Sequence, residues 1–159
     1  MSNDLPRMTV DDVDRRILRA LWQNGRATNK DVAAAVGIPP STCLLRIRRL
    51  VDNHVIKGFH ADIDAAMLGR PLQAMVSVQM KVHTREENNR MLTKLVSLPG
   101  VISVSLMAGD DDYLVHVAAV SPEGLSNFVL DKITSDPAVA GTHTRLVFRH
   151  VQVGAAWRE

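Results

Sequence analysis

The chain has 159 residues, of which 46% are hydrophobic, 23% charged and only 4% aromatic, as expected for one ordinary domain or two small ones. Its apolar stretches stop well short of the roughly 20 residues that a bilayer-spanning helix needs, so a membrane span is excluded. Residues 1–70 carry eleven Lys and Arg against eight Asp and Glu, and residues 71–159 carry eight against nine, so the basic excess is N-terminal.

Several classes of site are disfavoured by the residue types present. The single cysteine, Cys43, rules out an intrachain disulfide and a cysteine-based zinc site. The sequence has no Walker loop, no Gly-x-Ser-x-Gly and no His-Glu-x-x-His, and its six histidines form no helical i, i+4 pair, so we predict no metal and no cofactor. The N-terminus has no apolar core before a cleavage site, so we expect no signal peptide and a cytoplasmic protein.

Three helices are predicted in the basic part of the chain. The first covers about residues 10–24, with Thr9 and Asp12 as its start signal and Asn24-Gly25 as its stop. The second has about eight residues and begins with the Thr28-x-x-Asp31 pair. The third restarts at Ser41 or Thr42, after Pro39-Pro40, and runs to about Asn53.

The third helix has the composition of a DNA-recognition helix. Two helices joined by a tight turn, followed by a predicted short strand pair over 55–62 that bends at Gly58, indicate a winged helix-turn-helix. Leu44, Ile47, Leu50 and Val51 are predicted to face the core, leaving Thr42, Arg46, Arg49 and Asn53 on the other side. Arginine side chains can bind guanine edges or phosphates in the major groove.

We therefore predict DNA contacts by Ser41, Thr42 and Arg46 in the first half of this helix, and phosphate contacts by Arg48, Arg49 and Lys57. Arg48 has an alternative role, in which its stem covers the core edge and its guanidinium pairs with an acid of the first helix such as Asp14. Cys43 is expected to be a small packing residue rather than a reactive thiol.

The periodicity changes after a Gly- and Pro-containing segment, which we take as a linker over 63–71 between domains at 1–62 and 72–159. Residues 72–82 alternate as a half-buried strand. A helix capped at Thr84 and ended by Pro99-Gly100, strands over 101–107 and 113–120, a helix from Ser121-Pro122, and a final strand over 141–153 follow. This βαββαβ order predicts an α+β, ferredoxin-like domain whose open sheet face is suited to back-to-back dimerisation.

Motifs in both domains resemble the Lrp/AsnC family of transcriptional regulators. They are Asp14-Arg15-Arg16-Ile17-Leu18, Asn24-Gly25-Arg26, Val36-Gly37-Ile38, Ser41-Thr42-Cys43, Arg46-Ile47-Arg48-Arg49-Leu50, Val55-Ile56-Lys57-Gly58-Phe59 and Gly109-Asp110-Asp111-Asp112-Tyr113-Leu114. The resemblance covers about residues 10–153. It implies a winged helix-turn-helix that binds operator DNA, and an effector-binding and oligomerisation domain of the RAM type.

The resemblance also implies a homodimer that assembles into a tetramer or octamer, with a small effector, typically an amino acid, held between dimers. The implied effector residues are Gly109, Asp110 and Asp112 on the turn and Thr142, Thr144 and Leu146 on the last strand. Asp111 and Arg145 depart from the family pattern, so the identity of the effector does not transfer.

Two alternatives stay open at the level of sequence. Sirohaem-type tetrapyrrole decarboxylases resemble the same two-domain architecture, and the arginines of the third helix could pair with tetrapyrrole carboxylates. The triplet Asp110-Asp111-Asp112 could bind a cation, but three acids beside a glycine are also ordinary turn chemistry.

Overall fold

A computed structural model describes residues 9–151, which fall into two compact units, 9–62 and Ile63–Val151. Each unit has a hydrophobic cluster of its own. In the described part of the chain, no helix is both long enough and apolar enough to span a membrane. The same residues contain no group of three or more His, Cys, Asp or Glu side chains arranged to hold a metal ion.

The N-terminal unit contains three helices, as predicted. The second helix is capped by Thr28, whose side chain accepts from the backbone N–H of Asp31, and it ends at Gly37 in the left-handed conformation. The first is capped by Asp11 together with Asp14, not by Thr9. The third starts one residue earlier than predicted because Pro40 takes the N1 position, where a missing N–H costs nothing. The helices are α1 (Asp12–Gln23), α2 (Asn29–Val36) and α3 (Pro40–Asp52).

Two details of the N-terminal unit differ from expectation. Residues 53–71 contain no strand, so the strand pair predicted over 55–62 is wrong. A two-stranded ribbon is marginal without packing, and Ile56 is the residue of that segment that packs on the core. The buried side of α3 is formed by Cys43 and Leu50, with Ile47 packed against them, whereas Leu44 and Val51 are each 39% exposed.

The C-terminal unit has the predicted ferredoxin-like topology. Its antiparallel sheet has the strand order β2-β3-β1-β4. A core of Ala, Val and Met side chains from the sheet packs against Met91, Leu95, Leu125 and Ile133 of the helical layer. The elements are β1 (Leu72–Met80), α4 (Arg85–Ser97), β2 (Val101–Leu106), β3 (Tyr113–Ala119), α5 (Pro122–Phe128) and β4 (Val139–Val147).

The last helix and the last strand depart from the predicted bounds. After α5 the chain continues through a π-helical turn, Val129–Thr134, which no sequence signal indicated. Strand β4 begins two residues before Gly141 and ends at Val147, where its pairing with β1 ends at Gln73. Part of the predicted extension to Val153 lies outside the described residues.

Candidate nucleic-acid interface and ligand site

The outward face of α3 carries Ser41, Leu45 and Arg48. Successive helical residues are 100° apart, so these three lie opposite the buried Cys43 and Leu50. Ser41 and Arg48 are exposed, and Leu45 is 65% exposed. An α-helix fits the major groove, and this face would present a hydroxyl and a guanidinium group to the base edges.

The remaining predicted DNA residues are in different local environments. Thr42 is exposed in the first turn of α3, beside Ser41. Lys57 is exposed in the irregular segment after α3 rather than on a paired strand. Arg46 is half-buried and Arg49 is exposed, and both guanidinium groups pair with Asp14 of α1.

A buried carboxylate connects α1 to α3. The Asp14 side chain is fully buried, its Oδ1 lies 2.9 Å from Arg46 Nη1, and its Oδ2 lies 2.8 Å from Arg49 Nη2. Arg46 Nη1 also lies 2.7 Å from Asp11 Oδ2. The alternative role of Arg48, in which it pairs with Asp14, is therefore wrong, because positions 46 and 49, not 48, are on the side of α3 that meets α1.

The cap of α1 is part of the same cluster. The backbone N–H of Asp14, followed by the guanidinium of Arg46, holds the pKa of Asp11 below its ordinary value, because both donate to the charged carboxylate. The Asp11-x-x-Asp14 spacing was a usable sequence signal for this cap, since it has the form of a capping box.

On the turn between β2 and β3, the predicted effector residues differ in how much they are already bonded. Gly109 is exposed and has a φ of 135°, a conformation that glycine adopts without strain. Asp110 is exposed, and no hydrogen bond of its carboxylate is found within residues 9–151. Asp112 has both carboxylate oxygens engaged: Oδ2 accepts from the backbone N–H of Met80 at 2.7 Å, and Oδ1 lies 3.0 Å from His83 Nδ1.

On β4, Thr144 and Leu146 line a cavity of about 360 Å³ together with side chains of α5 and the π-helical turn. Its other lining residues are Pro122, Leu125, Ser126, Val129 and Leu130. Thr142 lies nearer the start of the strand, where its hydroxyl is 3.1 Å from that of Thr134. The cavity wall is mainly apolar, as in sites that take an aliphatic side chain.

A single chain does not bring the turn and β4 together. The register aligns Tyr113 of β3 with Val78 of β1, and Val78 with Thr142 of β4. The turn and β4 are therefore separated by β1, which corresponds to about 10 Å across two strand spacings. Thr144 and Leu146 form one cluster and the residues of the turn another.

The open face of the sheet carries basic and imidazole groups, of which the sequence alone marked only Arg145, as a departure from the family pattern. His116 is 5% exposed, its Nε2 lies 3.0 Å from Gln73 Oε1, and its ring centroid lies 5.1 Å from that of His150. Burial, and then the nearby His150, lower the pKa of His116. Arg145 donates to the Ser77 hydroxyl at 3.0 Å. The alternation of apolar and polar residues predicts an open, largely polar face of the sheet. It does not predict which of its side chains bond to one another.

Comparisons with known proteins agree with this two-unit architecture. Residues 10–57 match the winged helix-turn-helix DNA-binding family model, and residues 73–156 match the Lrp/AsnC ligand binding domain. The HTH-type transcriptional regulator AldR of Mycobacterium tuberculosis is 44% identical over 155 residues, covering 98% of this chain and 86% of the relative.

Solved structures show the same fold. The crystal structure of MtbAldR is similar with a TM-score of 0.76 at 39% identity, covering 92% of this chain and 97% of that one. A transcriptional regulator from Neisseria meningitidis, solved as a complex with L-Met, has a TM-score of 0.82 at 27% identity and covers 91% of this chain and 94% of that one. The named relatives are transcriptional regulators, so the comparisons give no support to the decarboxylase alternative.

Proposed function

Because this chain belongs to the Lrp/AsnC family and is a DNA-binding transcriptional regulator with a ligand-binding domain, we propose that it controls amino-acid metabolism in the cytoplasm. In this proposal an amino acid binds the C-terminal unit and sets how the protein engages operator DNA. The observation that carries the DNA part is the exposed outward face of α3, on which Arg48 is the basic side chain.

We propose that Arg48 contacts base edges, that Ser41 and Thr42 bind bases or phosphate near the start of α3, and that Lys57 binds phosphate. For Arg46 and Arg49, which the sequence reading also places in the DNA-binding set, we propose a role in holding α3 rather than direct contact with bases. Their ion pairs with Asp14 support this division.

The DNA part is tested by Arg48→Ala against Arg19→Ala, which removes the same charge from an exposed position on α1. We expect Arg48→Ala to weaken binding to the protein's own upstream DNA about five- to 150-fold, the range of one lost bidentate base contact. Arg19→Ala should bind nearly as the wild type does. Equal operator affinity for both variants at one salt concentration would remove Arg48 from the interface.

For the effector, we propose an amino acid bound where the turn of one dimer meets β4 of another. A free carboxylate such as Asp110 suits the ammonium group, backbone N–H groups near Gly109 and hydroxyls of Thr142 and Thr144 suit the carboxylate, and Leu146 suits an apolar side chain. Asp112 then shapes the turn through its bond to Met80. Dimers would assemble into tetramers or octamers, and effector binding between them would favour one assembly.

The effector part is tested by light scattering on the eluting protein with each of the twenty amino acids, beginning with L-Met. A change in molar mass, matched by heat in a calorimetric titration, is the expected result for one or a few of them. Asp110→Asn should weaken that binding about tenfold or more, because a charge-assisted hydrogen bond is lost. Asp111→Asn is the matched control, since it removes the same charge one residue away.

No mass change and no heat with any amino acid would overturn the effector proposal. It would leave the DNA proposal standing, because the Arg48 test is independent of effector.

A further inference from the structure

Asp14 belongs to α1, yet its carboxylate is bonded to two of the cations of the proposed DNA-binding helix. We infer that Asp14 is a positioning residue, which holds Arg46 and Arg49 back from phosphate contacts and so limits the sequence-independent part of DNA affinity. This inference rests on the proposed binding of DNA through α3.

The physical reason lies in the burial of the carboxylate. Asp14 is fully buried, and a buried charge is tolerated when opposite charges and hydrogen bonds compensate it. Its oxygens are occupied by Arg46 and Arg49, and Oδ2 also accepts a 3.3 Å bond from the backbone N–H of Asp11. If either guanidinium moved to a phosphate, a negative charge inside the unit would lose a partner.

The exposure of the Arg46 and Arg49 side chains indicates that both could reach phosphate if their ion pairs with Asp14 were broken. The Arg49 side chain is 49% exposed and that of Arg46 is 27% exposed, so both are near enough to solvent to extend outward once unpaired. Contacts to phosphate do not discriminate between sequences, and each one makes binding more dependent on salt. Holding back two such contacts lowers affinity for any DNA, so the base contacts of the outward face supply a larger share of the binding free energy.

Arg48 differs from its two neighbours in this respect. It is exposed on the outward face, and no ion pair of its guanidinium is found in the part of the chain that the structure describes. The arrangement thus separates one arginine available for recognition from two that are tied to the supporting helix.

The main test is Asp14→Asn, which removes the charge, keeps nearly the same volume and retains an acceptor for the Asp11 N–H. The matched control is Asp12→Asn, which changes net charge equally on the same turn of α1. Asp12 pairs with Arg15 of its own helix at 2.7 Å, and its side chain is 90% exposed. Binding of the full-length proteins is measured over a range of salt concentrations, on the upstream operator and on an unrelated duplex of equal length.

For Asp14→Asn we expect the slope of log affinity against log salt to steepen by about 1 to 2, since each new phosphate contact adds about 0.9. Affinity for the operator and for the unrelated duplex should rise by a similar factor, because phosphate contacts do not read sequence. Asp12→Asn should change the slope by less than about 0.3, because Asp12 pairs with Arg15 of its own helix rather than with an arginine of α3 and its exposed charge is screened by salt. A merely structural role would weaken binding to both duplexes without steepening the slope.

A second variant decides the matter if Asp14→Asn does not fold. Arg49→Gln leaves Asp14 paired with Arg46, and a withheld arginine should leave the salt slope within about 0.3 of the wild-type value. A slope reduced by about 0.9 would mean that Arg49 already contacts phosphate, and it would overturn the inference. Wild-type protein that does not prefer its operator would instead overturn the proposed function.

Discussion

Asp14 and Asp136 are the buried carboxylates among residues 9–151, and each is bonded to two cationic side chains. Single residues matter most in this protein where a charge is removed from water, since an unpaired buried charge is far costlier than an exposed one. Exposed pairs, such as Arg15 with Asp12, contribute little by comparison.

At the residue scale, Arg46→Ala and Arg48→Ala should differ in stability. Arg46 is bonded to Asp11 and Asp14, so its loss should lower the free energy of unfolding by about 2 kcal/mol. Arg48 is exposed, so the Arg48→Ala change should alter the free energy of unfolding by less than about 0.5 kcal/mol. Urea denaturation followed by circular dichroism measures both. Equal midpoints for the two variants would contradict the bonding described for Arg46.

The Cys43 thiol should be inert in the folded protein. The side chain is fully buried, and burial raises the pKa of the thiol, so the reactive thiolate is scarce. A chromogenic disulfide reagent at pH 8 should react at least about a hundredfold more slowly with native protein than with protein in urea, because reaction requires local opening. Fast reaction of the native protein would show that α3 is not packed as described.

At the scale of the elements, turns and connections depend on a few backbone positions. Gly100, just before β2, has a φ of 89°, and an added Cβ would lie 2.6 Å from the Ala118 carbonyl oxygen. Gly69, after the 3-10 turn Ala65–Leu68, has a φ of 77° and open space around it. The two glycines therefore separate the cost of the backbone conformation from that of a steric clash.

Gly69→Ala should cost about 1 kcal/mol, the penalty of the left-handed conformation alone. Gly100→Ala should cost clearly more, about 3 kcal/mol, because the β2–β3 pairing must also shift. The difference between the two urea midpoints is the measurement. If Gly100→Ala were no worse than Gly69→Ala, the close approach to Ala118 would not exist in solution.

Asp136 ties α4 to the connection before β4 and should make stability depend on pH. Its carboxylate lies 2.8 Å from Arg90 Nη2 and 2.7 Å from Lys94 Nζ, and it accepts from the backbone N–H of Ala138. Arg90, also bonded to Glu87, is the main cause of a pKa for Asp136 well below its ordinary value of 3.8. A lowered pKa means that the stabilisation is complete above about pH 4–5 and is lost as pH falls further.

Asp136→Asn should lower the free energy of unfolding by about 2 kcal/mol at pH 7, since bonds to a charged acceptor are weakened. The gap between the wild type and the variant should close as pH falls below about 4, where the unfolded wild type takes up a proton. Urea titrations of both proteins at pH 7, 5 and 3 measure this difference in the free energy of unfolding. A gap that stays constant to pH 3 would show that the Asp136 charge is not the source.

At the scale of the whole molecule, the open sheet face is the surface we expect to join two chains. A row across the four strands places Arg145, Met75, His116 and Ser103 side by side on this face. The face carries apolar area beside bonded polar groups, and a two-fold axis would bring two such faces together.

If the open face joins two chains, Met75→Glu should lower the molar mass to that of a monomer, because it would bury an unpaired charge in the centre of that interface. Val96→Glu is the control, since Val96 is 58% exposed on α4, in the helical layer. Light scattering at matched concentrations gives the molar masses. A Met75→Glu protein that keeps the wild-type mass would show that the open sheet face does not join two chains.

Much of the fold follows from local sequence signals. The caps at Thr28 and Thr84, the Gly37 stop and the alternation in β1 all depend on hydrogen bonds or side-chain periods within a few residues. The same signals yield the βαββαβ order, and the order yields the sheet topology because connections are short. The sequence by itself therefore determined the two-unit architecture and the location of the candidate interface on α3.

Only the tertiary structure decided which side chains meet across elements. The choice of Arg46 and Arg49 over Arg48 as partners of Asp14 depends on how α1 packs on α3. The engagement of Asp112 with Met80 depends on strand register. Neither is encoded in a local period, because a shift of one turn along a helix, or of two residues in a strand, keeps the same face toward the core and yet changes every long-range partner.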